Sequence, residues 1–260
     1  MALEAARRGA EVLRRRFGTL KVSDAEQKGP KDFVTSVDRE AEEAVVSFLQ
    51  KRAPAAVLAE ESAARGATDG LTWVIDPLDG TTNYLHGFPH FAVSVALARG
   101  EQPLAGVVID PLRREEFCAL RGGGAWLNGG RVSVSPTVRL AEALALTGFP
   151  FRAVDHLPQY LRSLEAVIRG AAGVRRAGSA ALDLCYVACG RAGVFWELKL
   201  SPWDIAAGSV LVEEAGGRVS DFSGGHSQWR TGNILATNGA LHPEMVRLLR
   251  GIFARRARTR

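Results

Sequence analysis

The sequence predicts an α/β fold whose first half contains antiparallel strand pairs. Two patterns lead to this prediction. Amphipathic helical segments alternate along the chain with short apolar runs that suit buried strands, and three such runs between residues 91 and 120 are separated only by turns. At 260 residues, 47% of them apolar, the chain is long enough to bury a sizeable core as one large domain or two closely packed halves.

The elements of the first half follow from apolar periodicity and from capping residues. One apolar stripe predicts the first helix, and either Thr35 or Ser36 can cap the second, whose first turn carries Asp38. The first half is predicted to contain a helix over 2–17, a loop over 21–31, a helix from 36 to about 51, a loop over 63–70, and strands over 57–59, 71–75, 91–98, 104–109 and 115–120.

Strands and helices alternate in the second half. Gly190 is placed to end one helix, and Pro202 and Gly216 delimit another. The predicted strands are 144–147, 174–176, 192–198 and 233–237, and the predicted helices are 155–169, 178–189, 202–215 and 242–253. We find no internal repeat and no long linker.

The stretch around which the chain is organised begins with the apolar run 71–75. This run ends on Asp76, and Pro77 lacks the backbone donor that a central strand needs. Asp79 follows, and residues 80–82 (Gly-Thr-Thr) then offer backbone N–H groups and hydroxyls. Paired carboxylates at a strand end suit Mg²⁺, and the N–H groups suit a phosphate. The alternative is an ordinary acidic turn.

Three further carboxylates occupy comparable positions. Glu60 follows the strand predicted over 57–59, Asp38 lies at the start of the second helix, and Asp204 lies at the start of another. Each has a structural alternative, since acids near a helix N-terminus complement the helix dipole and Glu60 can be a surface acid. The residues alone leave these alternatives open.

Several other kinds of site are disfavoured. The cysteines at 118, 185 and 189 are too few for a disulfide framework, and Cys185 and Cys189 suit a helix core better than a metal pair. No Gly-x-Ser-x-Gly elbow supplies a nucleophile. The one Cys-x5-Arg spacing, from Cys185 to Arg191, begins inside the helix predicted over 178–189 and is not a phosphate-binding loop. His86 and His90 suit structural roles. No apolar run approaches the ~20 residues of a membrane span, and the N-terminus does not resemble a signal peptide, so we expect a cytoplasmic protein.

The basic balance leaves a nucleic-acid partner open. The formal charge is +5 and the pI is about 9.4, with arginine runs at 7–8 and 14–16 and a basic tail over 255–260. Such runs are usually solvated surfaces. The aromatic content is only 7%, and no nucleic-acid-binding motif is present.

Four stretches of the chain together resemble the inositol monophosphatase family, a group of Mg²⁺-dependent, Li⁺-sensitive phosphatases. They are Lys28…Asp32-x-Val34-Thr35…Asp38, Glu60-Glu61-Ser62, Trp73-Val-Ile-Asp76-Pro-Leu-Asp79-Gly-Thr-Thr-Asn83 and Trp203-Asp204-Ile-Ala-Ala-Gly208. The resemblance continues through 178–183, 195–197, 213–217 and 231–234, so it covers nearly the whole chain in the family's order. Ala59 stands where the family often has glycine.

The resemblance implies a layered αβαβα sandwich of the inositol monophosphatase and fructose-1,6-bisphosphatase type. We expect an N-terminal α+β half over 1–140 that carries most metal ligands, and a C-terminal α/β half over 141–254 that carries Asp204 and the substrate pocket. Residues 255–260 would form the basic tail. A homodimer is also implied.

The resemblance further assigns roles to individual residues. The implied metal ligands are Glu60, Asp76, the Leu78 carbonyl, Asp79 and Asp204, which would hold two Mg²⁺ ions and, through waters near Glu60, a weaker third. Asp38 and Thr81 would orient the attacking water, so the implied catalytic set is Asp38, Thr81 and Glu60. The N–H groups of Gly80 and Thr81 would hold the phosphate, and the alcohol part of the substrate would be bound by Glu197, Gly178, Ser179 and Ala180.

We therefore predict Mg²⁺-dependent hydrolysis of a phosphate monoester, foremost inositol 1-phosphate, by metal-activated water without a phosphoenzyme. Fructose 1,6-bisphosphate, histidinol phosphate and 3′-phosphoadenosine 5′-phosphate are alternative substrates. Arg175 and Arg176 either reach a second phosphate or are surface arginines. A secondary role in binding RNA or a transcription complex is the alternative from another class.

Overall fold

The computed structural model describes residues 1–20, 23, 25–29, 32–62, 70–151 and 153–254, with the backbone alone described at 27–29, 32 and 33. The predicted basic tail over 255–260 lies outside the described residues, as do 63–69 of the second predicted loop and parts of the first. The side chains of Lys28 and Asp32 from the family motif are likewise not described.

The secondary structure alternates helices and strands along the chain. The helices are α1 (Ala2–Arg16), α2 (Ser36–Arg52), α3 (Thr81–Leu85), α4 (Leu157–Gly170), α5 (Ala180–Ala188), α6 (Pro202–Glu214), α7 (Gln228–Thr231) and α8 (His242–Phe253). The strands are β1 (Glu26–Gly29), β2 (Asp32–Val34), β3 (Ala56–Ala59), β4 (Leu71–Asp79), β5 (Ala92–Arg99), β6 (Gln102–Asp110), β7 (Glu115–Leu120), β8 (Gly124–Leu127), β9 (Gly130–Arg131), β10 (Leu144–Thr147), β11 (Gly173–Arg175), β12 (Val194–Glu197), β13 (Arg218–Ser220) and β14 (Ile234–Thr237).

Two large sheets organise these strands. The first has the order β3-β4-β5-β6-β7-β8-β9 and is antiparallel except for the β3–β4 pair. The second has the order β11-β10-β12-β14-β13, with β10 parallel to both neighbours and β14 antiparallel to both of its own. The antiparallel pairs predicted for the first half are therefore confirmed.

The layers alternate as the resemblance implied. Helices α1 and α2 pack on one face of the seven-stranded sheet, and α5 and α6 lie between its other face and the five-stranded sheet. Helices α4 and α8 cover the outer face of the five-stranded sheet. Three clusters of buried apolar side chains fill the space between the layers, and the cluster around α5 and α6 reaches both sheets. This arrangement is an αβαβα sandwich.

Helix α6 lies unusually close to the larger sheet because β6 carries Gly106 at the contact. A Cβ atom at Gly106 would lie 2.6 Å from the carbonyl oxygen of Ala207 and 2.8 Å from its Cα atom. Any larger residue would push the helix away from the strand. Since Asp204 lies in the first turn of α6, this contact fixes how deeply Asp204 sits between the layers.

Strand β4 is longer than predicted, because it continues through Pro77 to Asp79. The prediction ended the strand at Asp76 on the ground that proline cannot donate to a ladder. In the structure, β3 pairs with β4 only from Thr72 to Ile75, and the pairing with β5 skips from Asp76 to Asp79. Pro77 thus lies in an irregular stretch, where a missing donor costs no ladder hydrogen bond.

Five short strands, β1, β2, β8, β9 and β13, escaped prediction, as did the short helices α3 and α7, because segments of two to five residues carry little periodicity. The segment predicted as a loop over 21–31 contains β1, which pairs antiparallel with β2, and β13 forms the edge of the second sheet. The other predicted helices and strands are confirmed with ends that differ by at most two residues. Thr35, one of two predicted caps, is the residue that caps α2.

The two large sheets use separate parts of the chain, 56–131 and 144–237. The division near residue 140 falls between them and stays a prediction, since α5 and α6 from the second part pack against both sheets. Among the described residues, no helix is long and apolar enough to cross a membrane.

Candidate active site

Three carboxylates converge where the layers meet. One oxygen each from Asp76, Asp79 and Asp204 lies within 4.8 Å of the others, and all three side chains are at most 9% exposed. Asp76 and Asp79 come from the irregular end of β4, and Asp204 comes from the start of α6. The break in pairing between Asp76 and Asp79 is what allows two residues of one strand to face the same centre.

Hydrogen bonds from both halves hold the first two carboxylates. Oδ1 of Asp76 accepts from the N–H of Leu78 at 3.0 Å. Oδ2 of Asp79 accepts from the Ser179 hydroxyl at 2.5 Å and from the N–H of Ala181 at 2.8 Å. The start of α5 therefore orients Asp79, a carboxylate of the seven-stranded sheet.

The electrostatics of this cluster are unfavourable without a cation. Burial, with Glu60, Asp79 and Asp204 as additional negative neighbours, raises the pKa of Asp76 well above its usual range. Burial and the neighbouring Asp204 raise the pKa of Asp79 to about 7. Carboxylates crowded in this way either retain protons or bind a positive ion. An all-oxygen donor set of this kind fits Mg²⁺ better than softer metals.

Glu60 and Leu78 lie beside the cluster. The side chain of Glu60 is hydrogen-bonded with that of Asp76, and its N–H donates to the carbonyl of Ile75 at 3.2 Å. The carbonyl oxygen of Leu78 lies 3.1 Å from the Thr81 hydroxyl. Both predicted ligands are thus brought to the centre, Glu60 by the end of β3 and Leu78 by the end of β4.

Asp38 is brought to the same place by the start of α2. Its Oδ2 accepts from the N–H of Thr35 at 2.9 Å and from the Thr35 hydroxyl at 2.5 Å, while Oδ1 lies 3.1 Å from the Thr81 hydroxyl. Burial raises the pKa of Asp38, although these hydrogen bonds oppose the effect. Oδ2 of Asp38 therefore takes part in the helix cap, and Oδ1 makes the predicted contact with Thr81.

Gly80 forms the turn between β4 and α3 in a conformation that other residues rarely adopt. Its φ is +99°. A Cβ atom there would also lie 3.1 Å from the His90 carbonyl and 3.2 Å from that of Gly178. The turn therefore requires glycine, and it sets the position of the Gly80 and Thr81 N–H groups that the sequence assigned to a phosphate.

A cavity of about 160 Å³ opens beside the carboxylates. All four predicted substrate residues, Glu197, Gly178, Ser179 and Ala180, line it together with Asp79 and Asp204. Glu197 ends β12 and lies directly over Gly148, where a Cβ atom would be only 1.9 Å from Oε1 of Glu197. Any side chain at 148 would displace this carboxylate.

Sequence reasoning missed several residues of the cavity wall. Phe149, Phe151 and Lys199 line it; the Arg176 guanidinium lies 5.1 Å and 5.3 Å from the centres of the two phenylalanine rings. The two phenylalanines follow the end of β10, and Lys199 follows the end of β12. A position just after a strand end had singled out Asp76 in the sequence, but only carboxylates were considered at such positions.

Of the two arginines that could reach a second phosphate, only Arg176 lines the cavity. Arg175 donates a hydrogen bond to the neighbouring carbonyl of Val174. His90 is buried, its ring centre lies 6.0 Å from that of Tyr186, and its pKa is lowered to about 4 by burial and by Arg113. The three cysteines form no disulfide, and Cys185 lies in the core.

The chain is similar in sequence to known proteins over nearly its whole length. A sequence model of the inositol monophosphatase family matches residues 1–253. The Nus factor SuhB of Pseudomonas aeruginosa is 50% identical over 244 residues, which is 92% of this chain and 90% of the relative.

Two solved structures are similar throughout. The extragenic suppressor protein suhB of Bartonella henselae has a TM-score of 0.89 at 42% identity and covers 95% of each chain. The inositol monophosphatase of Anabaena (Nostoc) sp. PCC 7120 has a TM-score of 0.84 at 38% identity, over 96% of this chain and 94% of that one.

Proposed function

The chain belongs to the inositol monophosphatase family, and we propose that it is an Mg²⁺-dependent phosphatase that hydrolyses inositol 1-phosphate to inositol and phosphate. The observation that carries the proposal is the buried cluster of Asp76, Asp79 and Asp204 next to the Asp38–Thr81 contact. The carboxylate cluster suits cations, and the Asp38–Thr81 pair suits a water molecule.

The residues that would hold two to three Mg²⁺ ions are Glu60, Asp76, the Leu78 carbonyl, Asp79 and Asp204. When bound, the ions would neutralise the phosphate dianion, acidify water and stabilise the leaving alkoxide. The donor set supports this because it offers only hard oxygen ligands. Burial, together with the neighbouring carboxylates, raises the pKa values of Asp76 and Asp79, and a bound cation would offset that cost.

The chain's own groups would handle the water and the phosphate. The Thr81 hydroxyl, which lies 3.1 Å from Asp38, would orient the attacking water, and Asp38 would accept its proton. The N–H groups of Gly80 and Thr81 would hold the phosphate oxygens. With water as the direct nucleophile, no residue needs to become phosphorylated.

Glu197 supports a polyol as the leaving alcohol. Its carboxylate, placed over Gly148, would accept hydrogen bonds from hydroxyl groups, while Gly178 and Ser179 shape the adjacent wall. Carboxylates are suited to bind vicinal hydroxyls because each carries two acceptor oxygens. Inositol fits this description.

Phosphate release from a panel of monoesters tests the proposal. The panel would hold inositol 1-phosphate, fructose 1,6-bisphosphate, histidinol phosphate and 3′-phosphoadenosine 5′-phosphate, each with Mg²⁺ and with EDTA. We expect inositol 1-phosphate to be hydrolysed fastest, EDTA to abolish release, and Asp79→Asn to lower kcat by roughly 10³-fold, since several kcal/mol of charge stabilisation would be lost. Glu244→Gln, an exposed acid of α8, is the matched control. Metal-independent release would contradict the proposal.

The resemblance also leads us to propose Li⁺ inhibition and a homodimer. Adding LiCl at constant ionic strength, with NaCl as the control, checks the first. Sedimentation of the full chain checks the second, and a monomer at micromolar concentration would contradict it.

A second role in binding RNA or a transcription complex has one specific observation in its favour, since the Pseudomonas aeruginosa relative is a Nus factor. The arginines of α1 do not add to it. Arg7 is paired with Glu116, Arg14 with Glu11, and both Arg15 and Arg16 with Glu40. Their charge is therefore largely neutralised at the surface.

Salt-dependent RNA binding tests this role. We expect affinity that falls steeply with salt concentration and weakens when the basic tail 255–260 is deleted, because phosphate contacts release counterions. The full chain carrying Asp79→Asn is the control, since it alters the candidate active site and leaves the tail in place. Absence of binding at low salt would contradict the second role.

A further inference from the structure

We propose that Asp183 is a positioning residue for the polyol wall of the cavity: its protonated carboxyl donates a hydrogen bond to the Glu197 carboxylate and fixes the orientation of that carboxylate. The inference rests on the proposed phosphatase function, in which Glu197 binds the alcohol part of inositol 1-phosphate. Asp183 ends the stretch 178–183 that forms part of the resemblance to the family, but the resemblance assigns it no role.

Asp183 is a buried acid without a partner. Its side chain is 1% exposed, and in the part of the chain that the structure describes, its Oδ1 has no hydrogen-bond partner. Other buried aspartates differ, since Asp38, Asp79 and Asp221 each accept from two or more donors. An ionised carboxylate at 183 would lose its hydration without compensation. The group therefore needs a proton and an acceptor for that proton.

Asp183 lies beneath the floor of the cavity. It is in α5, three residues after Ala180 and four after Ser179, so the three side chains share one face of the helix. Ser179 and Ala180 line the cavity, and the Ser179 hydroxyl donates to Asp79. Asp183 follows one helical turn further on, below these two residues.

Glu197 faces α5 from the five-stranded sheet. Side chains alternate along β12. Phe195 packs in the apolar cluster that contains α5 and α6, whereas Trp196 packs in the cluster that contains α4 and α8. Glu197 therefore points toward α5, as Phe195 does, and the backbone of Gly148 closes one side of its carboxylate. Asp183 and Glu197 thus approach each other across the contact between α5 and β12.

The surroundings of Asp183 keep its carboxyl protonated. Burial raises its pKa well above the usual range, the negative charges of Glu197 and Asp79 raise it further, and the positive charge of Arg176 opposes them more weakly. A cation bound at Asp79 would cancel only one of these contributions.

A protonated carboxyl carries an O–H donor, and a carboxylate is a strong acceptor for it. Two neighbouring carboxyl groups avoid like-charge repulsion when they share one proton. In such a pair, one oxygen of Glu197 accepts from Asp183 and the other stays available to the hydroxyl groups of the alcohol. The polyol wall then has one negative charge in a fixed orientation.

The test compares inositol 1-phosphate with phenyl phosphate, whose leaving alcohol has no further hydroxyl group for Glu197. The quantity measured in Mg²⁺ is the ratio of their kcat/KM values. Asp183→Leu keeps the branching of the side chain and removes the donor, so we expect it to lower the ratio about tenfold. Asp183→Asn should retain the ratio, because its amide N–H donates in place of the O–H. A ratio in Asp183→Leu within about twofold of the wild-type value would overturn the proposal, as would an equal loss in both variants.

Cys185→Ala is the matched control for lost packing. Cys185 is fully buried in the same helix, so the variant should destabilise the fold and leave the ratio at the wild-type value. Asp183→Ala replaces Asp183→Leu if the larger side chain prevents folding.

A double-mutant cycle tests the partner of Asp183. In the Glu197→Ala background, Asp183→Leu should have no further effect on the ratio, because the acceptor is already gone. Independent, additive effects of the two substitutions would overturn the pairing.

Failure of the proposed function gives a different result, because the wild type would then release no phosphate from inositol 1-phosphate. Carbon-13 NMR titration of the Glu197 carboxyl decides the proposal in that case. Loss of the donor in Asp183→Leu should move the midpoint of this titration to higher pH, whereas Asp183→Asn should leave it in place. A midpoint that stays or moves to lower pH in Asp183→Leu overturns the proposal.

Discussion

The starts of α2 and α6 use the same local motif for different purposes. In each, an aspartate three residues after the cap accepts a hydrogen bond from the backbone of the capping residue, Asp38 from Thr35 at 2.9 Å and Asp204 from Ser201 at 2.7 Å. The second oxygen differs in its surroundings. That of Asp38 faces the Thr81 hydroxyl, whereas Asp204 contributes to a cluster of carboxylates.

This difference shows that one aspartate can cap a helix and also act in the site. A carboxylate has two oxygens, so one can satisfy the helix N-terminus while the other projects into the site. The role of the second oxygen depends on what the tertiary structure places opposite it. A hydroxyl opposite Asp38 suits proton transfer, and carboxylates opposite Asp204 suit cation binding.

Replacing each aspartate by asparagine gives the largest expected effect and separates the two roles. Both variants keep an oxygen for the cap. We expect Asp204→Asn to lower kcat by about 10³-fold and to weaken Mg²⁺ binding at least tenfold, and Asp38→Asn to lower kcat by roughly 10²-fold or more with Mg²⁺ affinity retained. Steady-state kinetics and calorimetric Mg²⁺ titration measure the two quantities. Equal loss of Mg²⁺ affinity in both variants would show that Asp38 and Asp204 have the same role in binding Mg²⁺.

The start of α8 sharpens the comparison, because it buries a titratable residue away from the site. His242 bonds to the hydroxyls of Ser220 and Thr237, and burial lowers its pKa from 6.5 to about 4. The unfolded chain therefore binds more protons between these values, so the free energy of unfolding falls as the pH drops below 6.5. The expected loss is about 3 kcal/mol at pH 4.

Urea unfolding at pH 7.5 and 4.5 measures this effect. His242→Gln should be less stable at pH 7.5 and should show a smaller loss between the two pH values. The control is His226→Gln, since His226 is exposed, and it should behave as the wild type does. An unchanged pH dependence in His242→Gln would contradict the assignment.

Removing the caps gives the smallest expected effect. Thr35→Ala should lower the free energy of unfolding by about 1–2 kcal/mol and Ser201→Ala by about 1 kcal/mol. Thr35→Ala should also lower kcat more than Ser201→Ala does, because the Thr35 hydroxyl is bonded to Asp38 itself. Equal effects of both variants on kcat would argue that capping does not orient the site.

Much of this arrangement could be predicted from the sequence, since periodicity locates the helices and strands and the resemblance to the family assigns roles to the carboxylates at their ends. The pairing of Asp79 with Ser179 and Ala181 could not, because it joins residues from different layers. The passage of β4 through Pro77 could not either, since it depends on where β3 stops. Lys199 was overlooked because only carboxylates were considered at strand ends, although it follows the end of β12.

The convergence of Asp79 and Asp204 has a consequence for how the stability of the protein depends on metal ions. Asp79 and Asp204 are distant in the chain, and a cation shared by them would tie the seven-stranded sheet to α6 as a reversible cross-link. Such a link stabilises only the assembled form, by an amount that grows with the logarithm of ion concentration. Under the proposed function, the Mg²⁺ concentration would therefore set the stability of the folded protein as well as its turnover.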